Sequence, residues 1–92
     1  MLKDFGNKHT ESLWKKKKST KWKNIETVAL RKLNKLDETK NLFQLTSLTG
    51  NYLEALRGKW KGYYSIRINK QFRLVFIWEK GNAYQVEITD YH

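Results

Sequence analysis

Apolar residues change their spacing partway along the chain. In the first part they recur every three or four positions. Ile25, Val28, Ala29, Leu33 and Leu36 make one stripe of a helix, with Arg31, Lys32, Lys35 and Glu38 largely on its other faces. Asn24 is placed to cap this helix, Glu26 falls in its first turn, and the pattern fades near Thr39. Upstream, Leu2 to Phe5 predicts a short strand broken by Gly6-Asn7. Asn7 then caps a helix running from Lys8 to about Lys17, and Ser19 to Lys23 reads as a loop. Leu42, Phe43, Leu45 and Leu48 predict a short helical turn and a connection ending at Gly50.

From Tyr52 the period becomes two. Tyr52 to Leu56 predicts a strand that runs into the basic loop Arg57-Gly58-Lys59-Trp60-Lys61-Gly62. Tyr64, Ile66 and Ile68 alternate with Tyr63, Ser65, Arg67 and Asn69, and Asn69-Lys70 suits a tight turn because Asn tolerates positive φ. Phe72 to Trp78 is almost continuously apolar, as expected of a strand covered on both faces. Lys80-Gly81-Asn82 signals another turn, after which Tyr84, Val86 and Ile88 alternate with Gln85, Glu87 and Thr89. Helices first and strands second is an α+β order. The expected architecture is two N-terminal helices packed on one face of a small antiparallel sheet, in a single domain spanning residues 1–92.

Composition adds a strong constraint. Nineteen Lys and Arg against nine Asp and Glu give a net charge of +10, split as +7 over residues 1–50 and +3 over residues 51–92. A polyanion is therefore the expected partner. Thirteen aromatic residues (four Trp, five Tyr, four Phe) supply enough apolar area for an ordered core. The absence of Cys excludes disulfides, a thiolate nucleophile and Cys-ligated zinc. No apolar run approaches the about 20 residues of a membrane span. Nor does Met1-Leu2-Lys3-Asp4-Phe5 look like a signal peptide, so an intracellular protein is expected.

The densest charge is Lys15, Lys16, Lys17, Lys18 and Lys21, set between Trp14 and Trp22. The lysines are read as phosphate contacts, together with Lys59 and Lys61, and the two tryptophans as core. Arg73 is the one charge inside the apolar strand, a costly position unless it is paired or solvated. It either salt-bridges Glu87 or Asp90 on the neighbouring strand, faces an edge, or reaches across the open sheet face to a phosphate. The chain ends Asp90-Tyr91-His92, with Asp90 and His92 on one face of the strand by parity and Tyr91 on the other. An acid, a phenol and an imidazole near a basic loop and Arg73 are what RNA cleavage needs. One group takes the ribose 2′-OH proton, a cation stabilises the phosphate in flight, and an acid protonates the departing 5′-oxygen. That chemistry requires no cofactor or metal, and His9 and His92, the only histidines, are far apart in sequence.

These residues resemble a known family. Leu53-Glu54-Ala55-Leu56-Arg57-Gly58, Gly62 to Asn69, Phe72 to Phe76, Trp78, Gly81, Ala83-Tyr84 and Asp90-Tyr91-His92 look like the HigB branch of the RelE/ParE toxins of bacterial type II toxin–antitoxin modules. The likeness is dense from residue 52 onward and looser before it. It implies a RelE/ParE-like, microbial-RNase-type fold in a bacterial cytoplasmic toxin that cuts mRNA in the ribosomal A site. Arg73 matches the strand Arg that contacts the scissile phosphate. Asp90, Tyr91 and His92 match the proton-transferring ending, and Arg57 matches a basic residue where Lys is common. Some members carry His where this chain has Glu54, so Glu54 is either a base or a partner for Arg57. The implied partners are a HigA-type helix-turn-helix antitoxin, operator DNA through that antitoxin only, and the ribosome with its 16S rRNA and mRNA, but no membrane. Two alternatives remain at this level: a ParE-like inhibitor of DNA gyrase, and a basic nucleic-acid-binding protein without catalysis.

Overall fold

A computed structural model describes residues 1–47 and 51–90. Helix α1 spans Lys8–Lys16 and helix α2 spans Glu26–Glu38. Four strands follow: β1 (Glu54–Ala55), β2 (Tyr64–Arg67), β3 (Phe72–Glu79) and β4 (Asn82–Asp90). They form one antiparallel meander in the order β1-β2-β3-β4. Short 3-10 turns cover Leu42–Ser47 and Gly58–Trp60.

The start of α1 follows from its cap. Asn7 has extended backbone, and its side chain accepts a hydrogen bond of 2.9 Å from the Thr10 N–H. Asn7→Ala is expected to cost about 1 kcal/mol of stability, read as a lower urea midpoint at unchanged slope. Helix α2 begins differently from expectation. Asn24 does not cap it; Ile25 occupies that position without a side-chain bond. The turn before it is bracketed by side chains instead. Glu26 Oε2 accepts from the Ser19 N–H, and Ser19 Oγ accepts from the Trp22 N–H, each at 2.8 Å.

The apolar stripe of α2 packs as its spacing requires: Ile25, Ala29, Leu33 and Leu36 are buried and Val28 is half-buried. They meet Leu13, Trp22, Leu45, Ile66, Leu74, Phe76, Val86 and Ile88 in one core between the helices and a single sheet face. Trp22 is buried and Trp14 packs on the core's edge, so both tryptophans serve the fold. In β3, Leu74, Val75 and Phe76 are all fully buried, in keeping with a strand covered on both faces.

Residues 2–5 make no full strand. Leu2 and Phe5 form isolated parallel bridges to Ala83 and Val86, so this segment lies along the outer edge of β4. The ladder cannot continue because β4 bulges there, with Gln85 at φ 52° and a register shift opposite Val75 to Ile77. An extra residue in one strand reverses the side-chain alternation. Ala83, Val86 and Ile88 therefore face the core, whereas Tyr84, paired with Ile77, does not share the face of Val86. Gly6 permits the close approach: a Cβ there would lie 2.6 Å from Glu87 Oε1 and 3.1 Å from the Gln85 carbonyl. Beyond the bulge, the Ile88 N–H donates to the buried Thr10 Oγ1 at 3.0 Å and ties β4 to α1.

Two other turns also depart from the expected form. The strand expected over Tyr52 to Leu56 shrinks to Glu54–Ala55, because Tyr52 sits at φ 46°. Asn69 does not use positive φ. Its Oδ1 accepts from the N–H groups of Gln71 and Phe72 at 2.8 and 2.7 Å, an Asx turn. Leu48 and Gly50 lie outside the described residues.

One lysine is drawn inward. Lys32 Nζ on α2 donates to Oδ1 of the buried Asn51, whose Nδ2 donates to the Leu45 carbonyl at 3.1 Å. Burial, and then the neighbouring Arg31 charge, lowers the Lys32 pKa below 10.5. The folded state thus disfavours the charged amine. Its cost is fully present below the folded pKa and fades as pH rises toward the unfolded value. The stability of wild type relative to Lys32→Met should accordingly grow from pH 8 to pH 10.5 in urea titrations, a comparison that cancels the effect of net charge. Among the described residues, no helix is long and apolar enough to cross a membrane.

Candidate functional site

With the helices on one side, the other sheet face carries the side chains of alternate positions. Register decides which ones meet. Arg73 pairs with Arg67 across β2 and β3, and with Thr89 across β3 and β4. Ser65 pairs with Val75 and with Glu54. Glu54, Ser65, Arg67 and Arg73 therefore lie on the same face.

Two uncharged acceptors help to orient the Arg73 guanidinium. Nε donates to Ser65 Oγ at 2.7 Å, and Nη2 donates to the Tyr52 carbonyl at 2.6 Å. Arg67 rests its guanidinium 5.3 Å from the centre of the Tyr52 ring. Among the described residues its side chain has no hydrogen-bond acceptor. Two like charges directly opposite in an antiparallel pair oppose folding. Here they line a cleft of about 390 Å³ with Tyr52, Glu54, Asn69 and Lys70. A bridging anion such as a phosphate would offset that repulsion.

The structure thus brings Glu54 to Arg73 and leaves Asp90 elsewhere. Asp90 pairs with Phe72, one position out of phase with Arg73, so the two side chains leave opposite faces. Asp90 accepts from Gln71 Nε2 at 2.9 Å and borders a hollow with Lys21, Trp22, Phe72 and Ile88 on the helix side. The neighbour expected of Arg73, Glu87, also gives way: its carboxylate accepts from Asn7 Nδ2 at 3.3 Å. Tyr91 and His92 lie outside the described residues. Arg57 is exposed at the start of the Gly58–Trp60 turn and borders a hollow shared with Glu54, Ala55 and Leu56. The loop it begins also carries the exposed Lys59 and Lys61, and is stiffened by edge-on packing of Trp60 and Tyr63 rings 4.9 Å apart.

The lysine run is separate from this cleft. Lys15, Lys16, Lys17, Lys18 and Lys21 are exposed around the C-terminal end of α1, where cations complement the helix dipole. Lys16, Lys18 and Lys23 border a hollow of about 610 Å³ between α1 and α2. Lys17 Nζ sits 3.6 Å above the Trp14 ring, and Lys15 pairs with Glu11 at 3.2 Å, an exposed contact of little energetic weight. Although this hollow is larger than the Arg73 cleft, it lacks the cleft's paired guanidinium groups. Among the described residues no three His, Asp or Glu side chains are grouped to hold a metal ion. Sequence reasoning missed Arg67, Lys70 and Tyr52. Arg67 was visible as a charge alternating with Ile66 and Ile68, but only the β2–β3 register makes it the partner of Arg73.

Two helices packed on a four-stranded antiparallel meander make a RelE-like fold. Chains from the YoeB–YefM complex and the YoeB dimer of Staphylococcus aureus superpose with TM-scores of 0.62 and 0.59 at 22% and 24% identity. The first match covers 100% of this chain and 98% of that one, the second 99% and 97%. Residues 3–92 match the family described as "RelE-like toxin of type II toxin-antitoxin system HigB", and the chain belongs to that family. Toxin HigB-1 of Vibrio cholerae is 46% identical over 59 residues, 64% of this chain and 62% of that protein. An uncharacterized protein of Haemophilus influenzae is 41% identical over 60 residues, 65% of this chain and 59% of that one. These alignments span about three-fifths of the relatives' lengths.

Proposed function

We propose that this protein is the toxin of a type II toxin–antitoxin pair and acts as a ribosome-dependent mRNA endoribonuclease. The observation that carries the reading is the cross-strand pair Arg67 and Arg73 with the Glu54 carboxylate in the same cleft. The scissile phosphate binds between the two guanidinium groups. Glu54 takes the 2′-OH proton as the 2′-oxygen attacks phosphorus. The bond from phosphorus to the 5′-oxygen breaks, leaving a 2′,3′-cyclic phosphate, and an acid delivers a proton to the departing oxygen. Tyr91 and His92 are the candidates for that acid, by their match to the family ending; Asp90, which that ending also offers, leaves the opposite face of the sheet. Arg57 adds positive charge beside the cleft rather than a proton, since its guanidinium stays charged.

In this reading the lysines at the end of α1, with Lys59 and Lys61, contact 16S rRNA, and the toxin works in the bacterial cytoplasm. Family membership supports an antitoxin partner of the HigA type, and a neighbour of the same fold occurs in a YoeB–YefM complex. Operator DNA is reached through the antitoxin alone. Primer extension on a reporter mRNA, with and without purified ribosomes, tests the proposal. Ribosome-dependent cuts at in-frame codons are expected. Intact mRNA from a folded toxin would overturn the nuclease reading, and a supercoiling assay would then test inhibition of gyrase.

A further inference from the structure

Tyr52 stands at the mouth of the Arg67 and Arg73 cleft, and the core has no use for its ring. The residue is 63% exposed. Its backbone is at φ 46°, a left-handed conformation that disfavours a side chain with a Cβ. Such strain persists only where the surroundings impose it. Here both neighbours of the strained peptide are anchored. The buried Asn51 before it is fixed by Lys32 Nζ and the Leu45 carbonyl, and its own carbonyl accepts from the Arg67 N–H at 2.7 Å. The Tyr52 carbonyl accepts from Arg73 Nη2 at 2.6 Å. The backbone is thus committed to positioning the arginines, and the same geometry holds the ring against Arg67, 5.3 Å from the guanidinium carbon.

With Arg67 on one side of the ring and most of the residue still in water, area for a second flat group remains. We infer that Tyr52 is a base-stacking residue, receiving a nucleobase of single-stranded RNA whose adjoining phosphate lies between Arg67 and Arg73. This rests on the nuclease reading for its choice of RNA, but it concerns binding alone. An aromatic face accepts any base without reading its edges, so the contact holds the strand in place without setting codon preference. The guanidinium behind the ring limits its rotation and reduces the entropy lost on stacking.

The test uses the whole protein and a 2′-O-methyl RNA trinucleotide with 2-aminopurine at its centre, which cannot be cleaved by 2′-OH attack. Wild type and Tyr52→Phe should quench the probe's fluorescence on binding. Tyr52→Ala should bind roughly tenfold more weakly or worse and lose the quenching. Tyr52→Gly removes the ring while relieving the backbone strain, so it should behave as Tyr52→Ala does even if that variant folds poorly. Quenching retained by either ringless variant, lost in Tyr52→Phe, or absent in wild type would overturn the inference. A probe quenched by Tyr52 with no ribosomal cleavage would sink the nuclease reading alone and leave stacking standing.

Discussion

Arg73→Ala should lower ribosome-dependent cleavage by about 10²- to 10³-fold, the scale of losing one preorganised donor to a developing oxyanion. The size follows from how the side chain is held. Its hydrogen bonds to Ser65 Oγ and the Tyr52 carbonyl fix its direction. Arg67, its cross-strand partner, raises the local positive potential further. A phosphate gaining charge during attack meets two cations already in position, so little reorganisation is needed as the reaction proceeds. Arg73→Lys should recover only a small part of the loss, because an ammonium cannot hold Ser65 and Tyr52 and present a planar fork at once. Arg73 is half-buried and its partners can turn to water, so the variant should still melt cooperatively. The informative comparison is cleavage against ribosome affinity. A fall in cleavage alone supports transition-state stabilisation, whereas equal falls in both would reduce Arg73 to a binding residue.

Arg73 was legible as the one charge in the apolar run Phe72 to Trp78. What it faces was not, since facing depends on register. Counting by twos joined Asp90 to Tyr84, Val86 and Ile88 on one face. One bulge at Gln85 breaks that count, and no glycine marks the place. Parity downstream of the bulge does hold: Val86, Ile88 and Asp90 share a face, but it is the face opposite Arg73. Glu54 was suspected only as a departure from the family's His, and strand pairing with Ser65 brings it into the Arg73 cleft. Capping shows the same division. Asn7 acts as its position suggests, while at α2 a bond from Glu26 back to Ser19 displaces Asn24. Local signals survive where nothing tertiary competes, and long-range pairing decides the rest.

Phe76→Ala should be among the most destabilising single changes, costing about 3–5 kcal/mol. Phe76 is fully buried in β3, which is paired on both sides. Its ring stacks on Tyr64 at 6.3 Å and 28°, and meets Trp78 edge-on at 6.4 Å and 75°. Helix side chains close the core above it, including Leu13, Ala29 and Leu33. Truncation therefore leaves a void between two layers whose backbones are held by the sheet and by the Thr10 bond to Ile88, so collapse cannot fill it. For a domain of this size each kcal/mol is worth roughly 4–8 °C, which puts the expected fall in Tm above about 12 °C. Phe76→Leu should fall by much less, because it restores most of the volume. Circular-dichroism melts of both variants decide the matter, and a drop of only a few degrees for Phe76→Ala would mean the helical layer is not packed on this ring. The same variant separates fold from chemistry. Because Arg73 lies on the same strand and on its other face, Phe76→Ala should retain cleavage in proportion to the folded fraction at low temperature, while Arg73→Ala keeps its full loss of cleavage however well it folds.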